Sequence, residues 1–248
     1  MSTVLSVKGL NAGYGPIHVI WDLEFDVPDK EVTVIVGPNG VGKSTLLKAI
    51  MGTVTRYSGT VNFMGEDITD LPAHARTRLG LGYMPQVGNI FSRLKVRENL
   101  KMAAYTVDSN LIDERLETCF ELFPRIRPFG ERAAGTLSGG ERQMLAASMA
   151  LMRGPKVLMV DEPTAALQPS LVTDVLKKIV ELKDTLDLPI LMVEQRARRA
   201  LEVGDDAYMM RGGRFTFKGS SKELLEHPQL TEMYLGEIDV HELKYVRE

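Results

Sequence analysis

The strongest constraint on the fold is a glycine-rich stretch, Gly37-Pro38-Asn39-Gly40-Val41-Gly42-Lys43-Ser44-Thr45. An apolar, β-branched run from Glu31 to Val36 precedes it, and a helix-forming run from Leu46 to Met51 follows it. Strand, glycine-rich turn and helix in this order are typical of a phosphate-binding loop. The pattern therefore predicts an α/β core built around that loop.

The chemistry of the loop follows from its backbone and from two side chains. Gly37, Gly40 and Gly42 can adopt positive φ, so successive N–H groups can point at one anion. The following helix adds its unpaired N-terminal donors and the positive end of its dipole. Lys43 offers an ammonium between the β- and γ-phosphates, and the Ser44 hydroxyl is a hard oxygen ligand for Mg²⁺. We expect ATP-type nucleotide binding with Mg²⁺.

Composition excludes several classes of protein. A formal net charge of -3 gives no reason to expect nucleic acid as the main partner. The one cysteine, Cys119, excludes an internal disulfide and fits a small apolar position in a helix. No apolar run is long enough to span a bilayer, and the N-terminus does not resemble a signal peptide. We expect a cytoplasmic protein that reaches a membrane through a partner.

Periodicity divides the chain into an α/β core and an inserted helical part. The short strands Val4 to Val7, Leu23 to Val27 and Thr60 to Phe63 predict a small antiparallel β-subdomain. Between Gln86 and Pro155 no β-rich run occurs, and the helical segments are Leu94 to Ala104, Leu111 to Phe123 and Arg142 to Met152. Later, Ser170 is predicted to cap a long helix, 207–210 and 214–217 to form a hairpin, and Ser220 with Glu223 to form a capping box.

A second chemical signal is Asp161-Glu162, which ends the apolar run Val157 to Val160. At the carboxyl end of a buried parallel strand, Asp161 is positioned to hold Mg²⁺ directly or through water. Glu162 is the candidate general base that positions and polarises the attacking water. Together with the loop at Lys43, this pair predicts hydrolysis of the nucleotide.

Two further features have alternative interpretations when taken alone. Tyr14 could stack on adenine, although a loop tyrosine is more often a packing residue. Ser138-Gly139-Gly140-Glu141 opens a helix and could bind an anion, or it could be a glycine-rich turn with a serine cap. For Ser138-Gly139-Gly140-Glu141, the combination with Lys43 and Asp161-Glu162 favours the anion site. For Tyr14 the residues alone favour packing.

In this combination the sequence resembles the ATP-binding cassette (ABC) ATPases over essentially its whole length. Leu137-Ser138-Gly139-Gly140-Glu141 is similar to their signature motif. The resemblance implies a P-loop NTPase fold with a RecA-like core and parallel sheet, an antiparallel β-subdomain and an inserted α-helical subdomain. It also implies one domain, residues 1–248. The core and β-subdomain take up 1–86 and 155–236, and the helical subdomain takes up 87–154. The C-terminal stretch 237–248 is interpreted as a surface tail or docking helix.

The resemblance implies roles for several residues. Gln86 is similar to the Q-loop glutamine and is expected near the metal with Ser44 and Asp161, while Tyr14 is similar to the adenine-stacking aromatic. In this family two ATPase subunits pair head to tail, which implies that Ser138, Gly139, Gly140 and Glu141 act in trans on the partner's ATP. Transmembrane permease subunits, and indirectly a solute-binding protein, are the other implied partners, at the cytoplasmic face of the membrane.

The closer resemblance is to ATPase subunits of bacterial and archaeal importers for branched-chain amino acids, through stretches such as 14–18, 91–100 and 193–195. Importers of urea and short amides are the sister group, and Trp21 with Leu167-Gln168-Pro169 favours them slightly. A soluble ABC protein acting on ribosomes or DNA fits poorly, because the chain has one cassette and Thr45 to Leu137 is too short for a coiled coil. A regulatory module without turnover is disfavoured by Glu162.

Two residues depart from the common family pattern. Gln195 stands where most members carry histidine, and glutamine can donate a hydrogen bond but cannot become cationic. We interpret it as a neutral γ-phosphate sensor. Gln168 replaces the D-loop aspartate of many members, which leaves the detail of communication between subunits open.

Overall fold

A six-stranded, mainly parallel sheet carries the phosphate-binding loop in a computed structural model whose described residues are 2–165 and 167–235. The spatial order is β10-β9-β3-β8-β7-β6, and the β9–β10 pair is the antiparallel hairpin predicted from the sequence. Strands β3, β7 and β8 are buried at every position, as expected for parallel strands covered on both faces. The strands are β3 Val32–Val36, β6 Leu81–Met84, β7 Val157–Asp161, β8 Ile190–Glu194, β9 Asp206–Arg211 and β10 Arg214–Ser220.

A second, antiparallel sheet has the order β2-β1-β4-β5. Its strands are β1 Thr3–Tyr14, β2 Ile17–Pro28, β4 Thr55–Phe63 and β5 Glu66–Asp67. They are longer than the predicted ones because register shifts, including one beside Gly9 at φ 56°, let the pairing continue past each irregularity. Tyr14 was predicted to lie on a turn, but it is the last residue of β1.

The helices of the core are α1 Lys43–Ile50, α2 Ala73–Leu79, α6 Pro169–Leu186, α7 Ala197–Leu201, α8 Ser221–Leu225 and α9 Leu230–Leu235. The predicted cap at Ser170 is wrong: α6 begins at Pro169, and Gln168 occupies the cap position with extended backbone. Proline is preorganised for the first helical position, which moves the helix start ahead of the serine. The capping box of Ser220 and Glu223 is confirmed at the start of α8.

Between β6 and β7 the described chain is helical. The elements are α3 Val96–Ala103, α4 Ser109–Leu122 and α5 Gly139–Leu151, with 3₁₀ turns at Pro124–Phe129 and Ala134–Thr136. Helix α5 begins three residues before the predicted Arg142, because Ser138 caps it and Gly139 and Gly140 already belong to its first turn. The C-terminal stretch 237–248, predicted as a tail or docking helix, lies outside the described residues.

The core consists of two hydrophobic clusters on opposite faces of the larger sheet. Along β3 the side chains of Val32, Val34 and Val36 pack toward α6 and the helical segment, whereas Ile35 packs toward α1 and the antiparallel sheet. This alternation is the period-2 pattern of a strand covered on both faces. Across the described residues, none of the helices has the length and apolar character needed to span a bilayer. The carboxyl ends of β3, β7 and β8 lie at one edge of the larger sheet. Loops from distant parts of the sequence meet at this edge.

Candidate functional site

The loop from Gly37 to Ser44 connects β3 to α1 and closes around its own lysine. Gly40 and Gly42 have φ of 80° and 107°, in the region that L side chains rarely adopt. A Cβ on Gly37 would lie 2.3 Å from the carbonyl oxygen of Met210, so the hairpin β9–β10 approaches too closely for any side chain there. The sequence pattern of glycines thus reflects both backbone conformation and packing.

The ammonium of Lys43 is buried and fully hydrogen-bonded. Its Nζ donates to the carbonyl oxygens of Gly37 at 2.8 Å and Pro38 at 2.9 Å. It also forms an ion pair with Glu162 Oε1 at 3.0 Å, with 3% and 8% of the two side chains exposed. Three acceptors therefore match the three N–H donors of the ammonium. The loop carbonyl groups and Glu162 thus surround the Lys43 ammonium with three oxygen atoms.

Asp161 lies on the last position of β7 and faces the start of α1. Ser44 Oγ donates to its Oδ1 at 2.8 Å, and the Tyr83 hydroxyl donates to its Oδ2 at 3.1 Å. Burial raises the pKa of Asp161, and the bonds from Ser44 and Tyr83 oppose that rise. Two hard oxygen donors, a serine hydroxyl and a carboxylate, thus converge at one point, and this donor set suits Mg²⁺.

Glu162 and Gln86 meet across two neighbouring strands. Gln86 follows β6, and its Nε2 donates to Glu162 Oε2 at 3.0 Å. Glu162 has a φ of 44°, an unusual backbone conformation for a residue with a side chain. Such outliers cluster at functional sites, where the surrounding structure holds them. In this arrangement both oxygens of the Glu162 carboxylate have partners, one from Lys43 and one from Gln86.

Tyr14 stands at the rim of the site. Its side chain is 44% exposed, and its hydroxyl lies 3.4 Å from Thr45 Oγ1 at the beginning of α1. Next to it, the Tyr57 hydroxyl donates to the carbonyl oxygens of Gly15 at 2.7 Å and Ile17 at 3.1 Å. The Tyr57 hydroxyl therefore holds the turn after β1, beside the exposed Tyr14.

The predicted signature residues lie at the start of α5. Ser138 and Glu141 form a reciprocal capping box, in which Ser138 N donates to Glu141 Oε2 at 2.7 Å and Glu141 N to Ser138 Oγ at 3.4 Å. A Cβ on Gly139 would meet the Leu167 side chain at 3.3 Å. Among the described residues, no hydrogen bond joins 138–141 to the loop at 37–44. The structure thus brings Lys43, Ser44, Asp161, Glu162 and Gln86 together, and within the described chain the predicted signature residues form no hydrogen bond with them.

Tyr83, Glu194 and Tyr234 bond directly to predicted site residues, although the sequence did not point to them. Tyr83 on β6 reaches Asp161, and Glu194 at the end of β8 accepts the backbone N–H of Gln195 at 3.0 Å. Tyr83 and Glu194 each precede a glutamine that is a predicted site residue, Tyr83 by three positions and Glu194 by one. Their positions at the carboxyl ends of buried strands were the available signal.

Comparison with known proteins gives a consistent result. Residues 20–165 match the family described as ABC transporter. The chain is 50% identical over 236 residues to a probable branched-chain amino acid transport ATP-binding protein, LivF, of Archaeoglobus fulgidus, covering 95% of this chain and 100% of that protein. It is 36% identical to the high-affinity branched-chain amino acid transport ATP-binding protein BraG of Pseudomonas aeruginosa, over 94% of this chain and 100% of that protein.

A solved structure shares the fold. The ADP conformation of MJ1267, an ATP-binding cassette of an ABC transporter, superposes with a TM-score of 0.83 at 28% identity. The match covers 95% of this chain and 100% of that chain. The similarity therefore extends over the phosphate-binding loop, the helical segment and the strands that end at Asp161 and Glu194.

Proposed function

The chain belongs to the ABC transporter family and is an ATPase subunit, and we propose that the transporter it powers imports branched-chain (hydrophobic) amino acids. The substrate class is supported by the two relatives, LivF and BraG, which are similar over nearly the whole chain and whose names state that transport. The observation that carries the catalytic part is the convergence of Lys43, Asp161 and Glu162 at the carboxyl edge of the sheet.

The roles of the residues in nucleotide binding follow from this convergence. The loop amides of 37–45 and the Lys43 ammonium bind the phosphates, and the Tyr14 ring stacks on the adenine. Ser44, Asp161 and Gln86 would hold Mg²⁺, which would supply positive charge against the phosphates.

Glu162 acts as the general base. In the described structure its carboxylate bonds to Lys43 and Gln86, one partner on each oxygen. When phosphate oxygens take over Lys43, the carboxylate is released to orient the attacking water and receive its proton. Gln195 donates a hydrogen bond to the γ-phosphate. ATP binding thus frees the general base that hydrolysis requires.

A second ATPase subunit completes the site. The residues 138–141 form no hydrogen bond with the loop at 37–44 within the described chain, although both are helix N-termini suited to anions. We infer a head-to-tail pair in which Ser138, Gly139, Gly140 and Glu141 of one subunit face the γ-phosphate bound by the other. The partner is a second copy or a sibling ATPase.

An apolar groove next to Gln86 is the proposed contact with the permease subunits. Phe91, Met102 and Tyr105 line it, with 51%, 51% and 70% of their surfaces exposed, around a cavity of about 430 Å³. Solvent-exposed apolar patches of this kind mark interaction sites. Since Gln86 bonds to Glu162, a permease in this groove would be linked to the general base through a few residues. The subunit would then lie peripherally on the cytoplasmic face of the membrane, with the solute-binding protein contacted only indirectly.

Reconstitution with the permeases and the solute-binding protein tests the substrate class. We expect ATP-dependent uptake of leucine, isoleucine and valine into proteoliposomes that enclose ATP and carry the cassettes on the lumen side, with the solute-binding protein outside. Proteoliposomes with Glu162→Gln should show no uptake. Uptake of urea or a short amide in place of leucine would assign the chain to the sister group. Transport by Glu162→Gln at the normal rate would contradict the role of Glu162 as general base.

A further inference from the structure

Glu194 is a carboxylate in a dry position at the carboxyl end of β8, with 1% of its surface exposed. Its Oε1 accepts from the Thr164 backbone N–H at 3.0 Å and hydroxyl at 2.7 Å. Its Oε2 accepts from the backbone N–H groups of Gln195 at 3.0 Å and Arg196 at 3.3 Å. A buried carboxylate is tolerated when such donors replace water. The Glu194 carboxylate therefore links Thr164, in the segment after Glu162, to the backbone of Gln195 and Arg196 through hydrogen bonds.

A second contact joins the same two segments. The Arg196 guanidinium, through Nη2, donates to the carbonyl oxygen of Leu167 at 3.2 Å. Thr164 and Leu167 both lie between Glu162 and α6, and Arg196 immediately follows Gln195. The backbone on the carboxyl side of Gln195 is thus held against the loop that follows the general base.

The third contact comes from the far end of the described chain. The Tyr234 hydroxyl, on α9, donates to the carbonyl oxygen of Gln195 at 2.7 Å, across 39 residues of sequence. Leu230 and Met233 are 3% and 5% exposed and anchor α9 to the core. Burial raises the pKa of Tyr234, and the charges of Glu162 and Glu194 add to that rise, so the phenol remains a donor at neutral pH.

We propose that Tyr234 is a positioning residue for ATP hydrolysis, which holds the carbonyl side of Gln195 while Glu194 holds its N–H side. This inference rests on the proposed role of Gln195 as the γ-phosphate sensor. A cationic histidine attracts a phosphate over a range of orientations, whereas a neutral amide depends on a directed hydrogen bond. A glutamine at this position therefore needs a more firmly held backbone, and the two contacts supply it.

Tyr234→Phe tests the proposal in the full-length chain, since it keeps the ring and removes only the hydroxyl. We expect kcat for ATP hydrolysis to fall about two- to tenfold, the range that one hydrogen bond supplies, while the Kd for ATP stays unchanged. The matched control is Tyr208→Phe. Tyr208 is a more deeply buried tyrosine, 4% exposed on β9, and burial raises its pKa to about 12. This control should lower the thermal stability and leave kcat unchanged.

A double-mutant cycle separates this inference from the proposed function. Gln195→Ala should lower kcat, and Tyr234→Phe should then add nothing, because its effect passes through Gln195. A normal kcat in Tyr234→Phe, or a further independent loss in the Gln195→Ala background, would overturn the positioning role while leaving the sensor intact. A normal kcat in Gln195→Ala would remove the sensor role itself and the inference with it.

Discussion

Lys43 is a charged side chain in an almost dry position, and its surroundings explain how it is tolerated. Two loop carbonyl oxygens and the Glu162 carboxylate accept its three hydrogen bonds. A buried ion pair contributes little net stability, because both charges lose their hydration. We interpret the arrangement as a site prepared for an anion. In the proposed mechanism, phosphate oxygens replace Glu162 as the partner of Lys43 when nucleotide binds.

We expect Lys43→Ala to weaken ATP binding by at least about tenfold, because charge-assisted hydrogen bonds to the phosphates are lost. Isothermal titration calorimetry with the full-length chain measures this change. The variant should also unfold at lower denaturant concentration, since removing one partner leaves the Glu162 charge buried without its cation.

Lys30→Ala is the matched control for this prediction. Lys30 forms an exposed ion pair with Asp187 at 3.0 Å, with 59% and 70% of the two side chains accessible. Exposed pairs contribute little, so both ATP binding and stability should remain within experimental error. An ATP affinity that is equal in the two variants would exclude the phosphate-binding role of Lys43.

At the scale of elements, helix α1 is held at both ends by polar contacts. Its N-terminus opens from the phosphate-binding loop, and its C-terminal carbonyl groups are capped by Arg76 of α2. The Arg76 guanidinium is 3% exposed and donates to the carbonyl oxygens of Leu71, Thr69, Ala49 and Ile50. A cation at a helix C-terminus also interacts favourably with the helix dipole. Burial lowers the pKa of this guanidinium.

Arg76→Leu should lower the free energy of unfolding by about 2–4 kcal/mol, because several buried carbonyl groups lose their donor at once. Urea denaturation monitored by circular dichroism measures the change. Arg78→Leu is the control on the same helix, since Arg78 is exposed, and it should shift stability by less than about 0.5 kcal/mol. Equal losses in the two variants would show that the buried hydrogen bonds of Arg76, two of them to α1, do not stabilise the fold.

At the scale of the whole molecule, two helix N-termini suited to anions lie in different parts of one chain. The loop before α1 is closed around Lys43, and the first turn of α5 is capped by Ser138 and Glu141. Two sites of this kind in a head-to-tail pair would enclose one nucleotide from both sides. Hydrolysis would remove the γ-phosphate that both subunits bind, and the pair would separate.

Ser138→Arg tests this assembly. We expect it to abolish ATP hydrolysis and the ATP-dependent dimer, since a bulky side chain would fill the interface, while ATP binding to the monomer stays normal. Dimerisation is measured by light scattering in the Glu162→Gln background, which should trap the ATP-bound pair.

Ser220→Arg removes a capping box of the same kind at the start of α8. Both serine variants should lose about 1 kcal/mol of stability through the missing cap. Only Ser138→Arg should lose hydrolysis. Normal turnover in Ser138→Arg would contradict a role of the signature in trans.

The sequence by itself determined the features that depend on near neighbours in the chain. Strand, glycine-rich loop and helix around Lys43, the buried strand that ends at Asp161 and the hairpin β9–β10 were predicted from local patterns. Cys119 was predicted as a small apolar residue in a helix, and it is buried in α4 with a pKa raised by burial to about 12. These predictions succeed because backbone conformation and burial periodicity are local properties.

The tertiary structure alone decided which distant side chains meet. Ser44 bonds to Asp161 across 117 residues and Gln86 to Glu162 across 76, because the sheet places β3, β8, β7 and β6 side by side. The sequence gives no order for the strands, and therefore no local pattern predicts that Tyr234 reaches Gln195 or that Glu194 joins two loops. Such contacts depend on how the core packs. Each of them holds in place a residue that the sequence had already predicted to belong to the site.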